Sequence, residues 1–353
     1  MDRGVLMQSP EYVKASLASA MALRFVSGRF YREARPYCIN LLLSYPEDCL
    51  ANCAYCGLAR SRPQGKDSFI RVDWPILKTE KIIERLTQYK DGIRRVCIST
   101  VFHPRAVEDT LRIGQSLRQS VDLPLSLLIT PGLFRRKELE SLKALGADYL
   151  GVGLDAASGR VFHLTRGGYG PLSWEGYQDT LKEAVYIFGH GKVSCHIMVG
   201  IGETDKELAE TFFYIHKLGA LIHLFSFYPE PDSRMARRRR PSLKRFRRMQ
   251  LLCHLIEKGL LMPHQLGFDP EGRLLKISVP QEIVEDIVNS GRPFITGGCP
   301  SRDGDIGCNR PFGSYRPGEP FRDFPFHPLT EDITRIKRET ILEEILEVTL
   351  EIL

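Results

Sequence analysis

The chain has 353 residues, a formal net charge of +6, and 43% hydrophobic against 26% charged residues. That is the composition of an ordinary soluble globular protein, long enough for one large α/β domain with appendages or for two small ones. No apolar run approaches the roughly eighteen residues that span a bilayer, and the opening MDRGVLMQSPEYVKASL lacks the apolar core and small-residue cleavage site of a secretion signal. A cytoplasmic protein without a membrane partner is therefore expected. In that compartment the nine cysteines stay reduced and are read as metal ligands, reactive thiols or small core residues.

In chain order, residues 10–26 read as a helix, after which strand-like and helix-like segments alternate. The strand candidates are 37–45, 94–100, 123–130, 148–155, 192–200 and 220–228, all short, apolar and rich in β-branched residues. Helical patterns fall between them at 79–89, 104–119, 134–145, 173–188 and 204–218. Such alternation predicts parallel strands with right-handed crossovers. Six units make an α/β fold of the partial (β/α)6 barrel type, smaller than the closed eight-unit form. Beyond it, 242–261 reads as a helix and 266–278 as a hairpin. Residues 291–322 are rich in Gly, Pro and Arg, and 331–353 read as a terminal helix on the spacing of Ile333, Ile336, Ile341, Ile345, Val348 and Ile352. The expected division is a helical segment (1–36), the barrel (37–262) and a cysteine-containing C-terminal extension (263–353).

Residues 49–56, CLANCAYC, directly follow the first strand, at the sheet edge where α/β proteins build sites. Cys49, Cys53 and Cys56 are one thiol short of a closed tetrahedral zinc site. A four-iron cluster takes one thiolate per iron, so three cysteines leave one iron open. Catalytic zinc also keeps an open position, usually with His or carboxylate ligands, and no histidine lies between residues 38 and 102.

The C-x-x-x-C-x-x-C spacing, with Tyr55 before its last cysteine, resembles the defining motif of the radical S-adenosylmethionine (SAM) enzymes. The likeness covers roughly residues 37–230. It implies a radical SAM partial barrel, a 4Fe–4S cluster on Cys49, Cys53 and Cys56, and an open iron that chelates SAM. Reductive cleavage of SAM then yields a 5′-deoxyadenosyl radical that abstracts a substrate hydrogen. HIMVGIGE (196–203) resembles the family's adenine-side segment through Gly200 and Glu203, with His196 and Met198 where the family has Gly and Ile. Asp155 matches the residue that meets the ribose in biotin-synthase-like members, and Arg166 is a candidate for the methionine carboxylate. Ser99 and Thr100 stand where members hold the methionine amino group, without the usual Gly-Gly-Glu.

A second cysteine pair, Cys299 and Cys308, lies in GGCPSRDGDIGCNRPFGSYRPGEPF (297–321). It suggests a second iron–sulfur cluster, with Gly304 and Gly307 offering backbone N–H groups and with Ser301, Asp303, Asp305 or another cysteine completing the ligands. Cys38 starts the first strand, ~20 Å from its far end, and is expected at the wrong edge. Cys97, Cys195 and Cys253 are expected in the core. Together with LDAAS and YCGLAR, this stretch resembles the two-protein lipoyl synthases. That implies sulfur insertion into an octanoyl chain on a carrier-protein lysine. The partners implied are an acidic lipoyl carrier protein or peptide, a homologous second radical SAM subunit, and an electron donor such as ferredoxin or flavodoxin. A biotin-synthase-like or RNA-modifying enzyme, or a non-catalytic iron–sulfur or zinc module, is the alternative. The arginine-rich run 233–248, with eight arginines and one lysine, is read as a solvated face, an acidic-protein dock or a phosphate grip. Nucleic acid is the weakest of these, since beyond Phe246 no aromatic interleaving supports it.

Overall fold

The computed structural model describes residues 7–62, 68–69, 71–169, 171–313 and 320–346. Six parallel strands form its centre: β2 (Cys38–Leu43), β6 (Arg95–Ser99), β7 (Leu125–Ile129), β8 (Tyr149–Asp155), β9 (Val193–Val199) and β10 (Leu221–Ser226). They pair in sequence order, and β2 continues antiparallel through β1 (Tyr12–Ala15) to β5 (Ile76–Lys78). A short ribbon, β3 (Ser68–Phe69) with β4 (Val72–Asp73), lies outside this eight-stranded sheet. The helices between strands are α2 (Thr79–Gln88), α3 (Ala106–Ser120), α4 (Arg136–Ala144), α5 (Gly159–Thr165), α6 (Trp174–Phe188) and α7 (Asp205–Leu218). This is an α/β partial barrel.

Local chemistry sets the helix ends. Thr204 and Glu207 cap α7 reciprocally, with Glu207 N to Thr204 Oγ1 at 3.1 Å and Thr204 N to Glu207 Oε2 at 2.8 Å. Leu208, Phe212 and Ile215 on its inner face are fully buried, each stabilising by about 1.5–3 kcal/mol. Gly219 closes the helix in the left-handed conformation. On the strands, period-2 alternation sends one set of side chains toward these helices and the other into the lumen.

Two sequence expectations change. Residues 12–15 are strand β1, and only α1 (Leu17–Ala22) of the 10–26 stretch is helical. The free edge of β2 takes up the backbone groups of Val13–Ala15, and Ser16 then caps α1 by accepting from Ser19 N at 3.2 Å. At the other end α10 (Thr330–Thr340) stops where Ile341 turns to φ +48°. There Arg248, on α8 (Leu243–Glu257), takes the carbonyls of Thr340 (2.9 Å) and Ile341 (2.8 Å). Ile345 instead accepts from Ile277 N at 2.7 Å, beside the hairpin β11 (Leu266–Phe268) and β12 (Leu274–Ile277). Val348 and Ile352 lie outside the described residues. The helices α5 and α9 (Gln281–Asn289) had no counterpart in the sequence reading. Among the described residues no helix is long and apolar enough to cross a membrane.

Candidate functional site at the two ends of the barrel lumen

The three-cysteine loop sits at the C-terminal end of the sheet and is held from several sides. Lys14 on β1 grips Asp48 at 2.8 Å, Leu50 N donates to Phe102 O at 2.9 Å, and Ala54 N donates to Thr165 O at 2.7 Å. Cys49, Cys53 and Cys56 line one cavity with Tyr55, Thr100, Thr130, Asp155, Arg166 and Met198. Backbone N–H groups point at two of the sulfurs: Phe102 N to Cys49 Sγ and Leu58 N to Cys56 Sγ, each at 3.3 Å. Burial pushes the Cys49 thiol up and Cys56 well up, so thiolates here require a compensating cation. A thiophilic, multi-iron group fits this donor set, with amide donors supporting the sulfurs.

Asp155 ends β8 at φ +63°, after a register shift in its pairing with β9. Tyr55 Oη donates to Asp155 Oδ2 at 2.6 Å, and Arg166 Nη1 donates to the same oxygen at 2.9 Å. Arg166 also donates to Leu154 O at 3.1 Å, to Gly153 O, and through Nη2 to Tyr177 Oη at 2.8 Å. Burial works against its charge, yet the Tyr177, Tyr55, Cys53 and Asp155 groups around it hold its pKa well above the usual range. The structure thus brings Tyr55, Asp155 and Arg166 to the three thiols. Arg166 is already committed to this network; only its buried Nε has no hydrogen-bond partner.

Three other expectations are corrected. Thr100 lines this cavity, but Ser99 lies on the inward face of β6 in a second, deeper cavity. Gly200 and Glu203 line neither. The Glu203 carboxylate accepts from Gly200, Ile201 and Gly202 N at 2.7–3.0 Å and pairs with Arg245 at 2.9 Å. Its carboxylate is spent on building its own loop. Gly200, at φ +110°, is required because an added Cβ would sit 2.7 Å from Pro241 Cδ. His196 and Met198, the residues that depart from the family pattern, are the ones that face the lumen.

The deeper cavity has a volume of about 110 Å³ and is walled by Asn40, Cys97, Ser126, Ser194, His223, Cys299, Cys308 and Arg310, among others. It shares Leu128, His196, Phe225 and Gly313 with the upper cavity, so the two are ends of one lumen. Cys299 and Cys308 reach it on a hairpin (Pro300 bridged to Ile306) that docks on the N-terminal ends of the strands. Arg95, fully buried on β6, clasps Asp148 with two bonds (2.8 and 2.9 Å) and Pro300 O with two more (2.6 and 3.0 Å). Gly307 N donates to Cys299 O at 3.1 Å and Gly304 N to Ser301 O at 3.2 Å, so these amides close the hairpin and do not face a cluster. Ser301, Asp303 and Asp305 lie at its outer tip, bonded to one another. Cys38 is at the correct edge after all, because this edge is the N-terminal one. Cys97 lines the cavity, whereas Cys195 and Cys253 are core residues as expected.

A cysteine loop after the first strand of a six-unit barrel, with its thiols facing the lumen, decides the family. Residues 43–215 match the model described as Radical SAM superfamily. The chain belongs to the radical SAM superfamily. The family implies a 4Fe–4S cluster and SAM. This radical SAM chain is 25% identical over 218 residues to the biotin synthase of Thermus thermophilus, covering 61% of each chain. With the biotin synthase of Chromobacterium violaceum it shares 26% over 189 residues, 52% of this chain and 51% of that one. It thus spans about three fifths or less of the length of these curated relatives. In fold it is similar to the FeFe-hydrogenase maturase HydG from Carboxydothermus hydrogenoformans (TM-score 0.52, 16% identity, 93% of this chain and 70% of that one). Methylornithine synthase is similar to the same degree (TM-score 0.50, 14% identity, 94% and 87%).

Sequence reasoning singled out Ser99 and His196 but missed the rest of the polar lining of this radical SAM barrel. Cys38 and Asn40 on β2, Arg95, Cys97 and Ser99 on β6, Ser126 on β7, Ser194 and His196 on β9 and His223 on β10 fall at every second position of their strands. Buried parallel strands normally read as continuous apolar runs, so period-2 polarity in them was the available signal.

Proposed function

We propose that this chain inserts sulfur into an unactivated aliphatic C–H bond, as one component of a two-protein lipoyl synthase acting on an octanoylated carrier-protein lysine. The observation that carries the reading is the pair of cysteine sets at opposite ends of one lumen, with Cys299 and Cys308 toward a second iron–sulfur cluster. Cys49, Cys53 and Cys56 would hold the first cluster. The chemistry it supplies when bound is one-electron reduction of the SAM sulfonium. Around it, Tyr55 and Arg166 fix Asp155, whose remaining acceptor capacity suits a ribose hydroxyl. Leu128, Phe225 and Pro311 offer apolar wall to an alkyl chain and keep water from it. A biotin-synthase-like reaction on another substrate is the second reading, favoured by the biotin synthases among the relatives.

The arginine run supports an acidic protein partner. Arg245, Arg247 and Arg248 are internal ties to Glu203, Glu339 and Glu344, so the run is no uniform basic face. Exposed Arg237 and Arg239 lie on a loop that joins the three-cysteine loop through Met235 N to Ala54 O at 3.1 Å. An acidic carrier domain or an electron donor such as ferredoxin or flavodoxin would dock there by charge complementarity; the second radical SAM subunit is part of the same proposal.

The test is anaerobic reconstitution, reduction and assay with octanoylated carrier peptide alone and with the partner subunit. Conversion of SAM to 5′-deoxyadenosine with a product one sulfur heavier is expected. SAM cleavage without a sulfur gain on this peptide would transfer the assignment to the second reading, and no cleavage with any aliphatic substrate would end both.

A further inference from the structure

The second cysteine pair has company at the N-terminal end of the lumen. Cys38 on β2 and Cys97 on β6 lie on adjacent parallel strands, in register with Arg95 and Asn40 respectively. Two residues apart across one strand spacing, their Cα atoms are separated by ~8 Å. Asn40 and Cys97 both wall the deeper cavity, and Cys38 shares the inward face of β2 with Asn40 by the strand period. From the hairpin, Cys308 Sγ donates to Asn40 Oδ1 at 3.7 Å and meets the thiol of Cys38, while Cys299 borders the same cavity as Cys97.

We propose that Cys38, Cys97, Cys299 and Cys308 together form a four-thiolate site for an iron–sulfur cluster, two ligands from the barrel strands and two from the C-terminal hairpin. That the bound cluster is the sulfur source rests on the sulfur-insertion reading; the ligand set does not.

Two observations support it. First, hydrogen bonds hold the cysteine-bearing hairpin against the strand ends. Arg95 holds Pro300 O, Arg94 Nη1 holds Ile306 O at 3.0 Å, and Asn309 Nδ2 holds Arg35 O and Pro325 O at 2.8 and 2.9 Å. At Gly298 an added Cβ would lie 2.0 Å from Cys308 O, so only glycine lets the two cysteine-bearing arms approach. Second, the electrostatics suit buried negative charge. Arg95 is neutralised by Asp148, which leaves Arg310 beside Cys308, its buried Nε without a hydrogen-bond partner.

The experiment uses the full chain with Cys49, Cys53 and Cys56 replaced by Ala, so that any remaining iron reports the deeper site alone. After anaerobic reconstitution we expect about four irons and four acid-labile sulfides per chain, with a charge-transfer band near the visible range. Adding Cys38→Ser or Cys97→Ser should lower both counts at least fourfold, as should Cys299→Ser or Cys308→Ser. Cys195→Ser and Cys253→Ser should leave them unchanged, and circular dichroism melting of each apo variant checks folding. Iron lost with Cys299→Ser and Cys308→Ser but retained with Cys38→Ser and Cys97→Ser would overturn the ligand set and leave the sulfur-insertion reading standing. Metal bound without sulfide, or no metal at all, would overturn the site. Full counts here, with a parent protein of intact Cys49, Cys53 and Cys56 that cleaves SAM but transfers no sulfur, would uphold the site and refute the reading.

Discussion

The two ends of this barrel present cysteines in opposite ways. At the C-terminal end three thiols come from eight consecutive residues, 49–56, held by loop hydrogen bonds. At the N-terminal end they come from residues as far apart as 38 and 308 and meet only because a hairpin docks under the strands. A local motif can be loaded as soon as its loop is ordered. A distributed one requires the whole chain to be folded, so its metal affinity and the stability of the fold are one quantity.

The largest test of that difference swaps the damage between ends. Cys49→Ala, Cys53→Ala and Cys56→Ala together should reduce 5′-deoxyadenosine formation to the background rate, measured by chromatography. Cys299→Ala should leave SAM cleavage measurable while removing sulfur from the product; equal loss of both signals would break the comparison.

Next comes the lumen between the ends, where His196 and His223 face each other with their rings 5.3 Å apart. Burial, with Arg310 and Arg95 nearby, pushes His223 down to about 3, and burial beside His223 pushes His196 well down. Both stay neutral when folded, whereas in the unfolded chain they take up protons near pH 6.5. Stability should therefore be unaffected above that pH and fall as pH drops from about 6.5 toward about 3 for His223, by about 1 kcal/mol per pH unit, with His196 acting in the same direction. Denaturant midpoints across this range should flatten in the His196→Gln, His223→Gln double variant.

Arg95→Met should cost about 1–3 kcal/mol, chiefly because Pro300 O loses both of its donors while the half-exposed Asp148 is taken up by water. In urea titrations and iron counts, the loss should appear at the N-terminal end while the three-cysteine loop still takes up iron. Gly200→Ala comes last, at about 1–3 kcal/mol from the φ of +110° and the contact with Pro241. Its denaturant midpoint should fall, with the iron count at the N-terminal end unchanged.

Much of the barrel was legible in advance. All six parallel strands and five intervening helices lie where alternation of apolar runs and helical periods put them. Residues 12–15 were not legible, because a four-residue strand leaves no distinguishable period; its pairing edge decided the matter. The end of α10 was equally hidden, since Arg248 from another helix supplies the partners for its last carbonyls. Glu203 shows the same limit at the site. Its spacing from Gly200 resembles a cofactor segment, but three backbone amides and Arg245 already occupy its carboxylate.

By itself the sequence determined the six-unit α/β barrel and the loop of Cys49, Cys53 and Cys56, because both are encoded in spacings a few residues long, where chain geometry leaves little choice. Only the tertiary structure decided which way the rest faces. It turned Arg245, Arg247 and Arg248 inward and set Ser99 apart from Thr100. It also carried Cys299 and Cys308 to the strand starts beside Cys38 and Cys97. Those outcomes depend on register and docking between segments far apart in sequence, which no local spacing specifies.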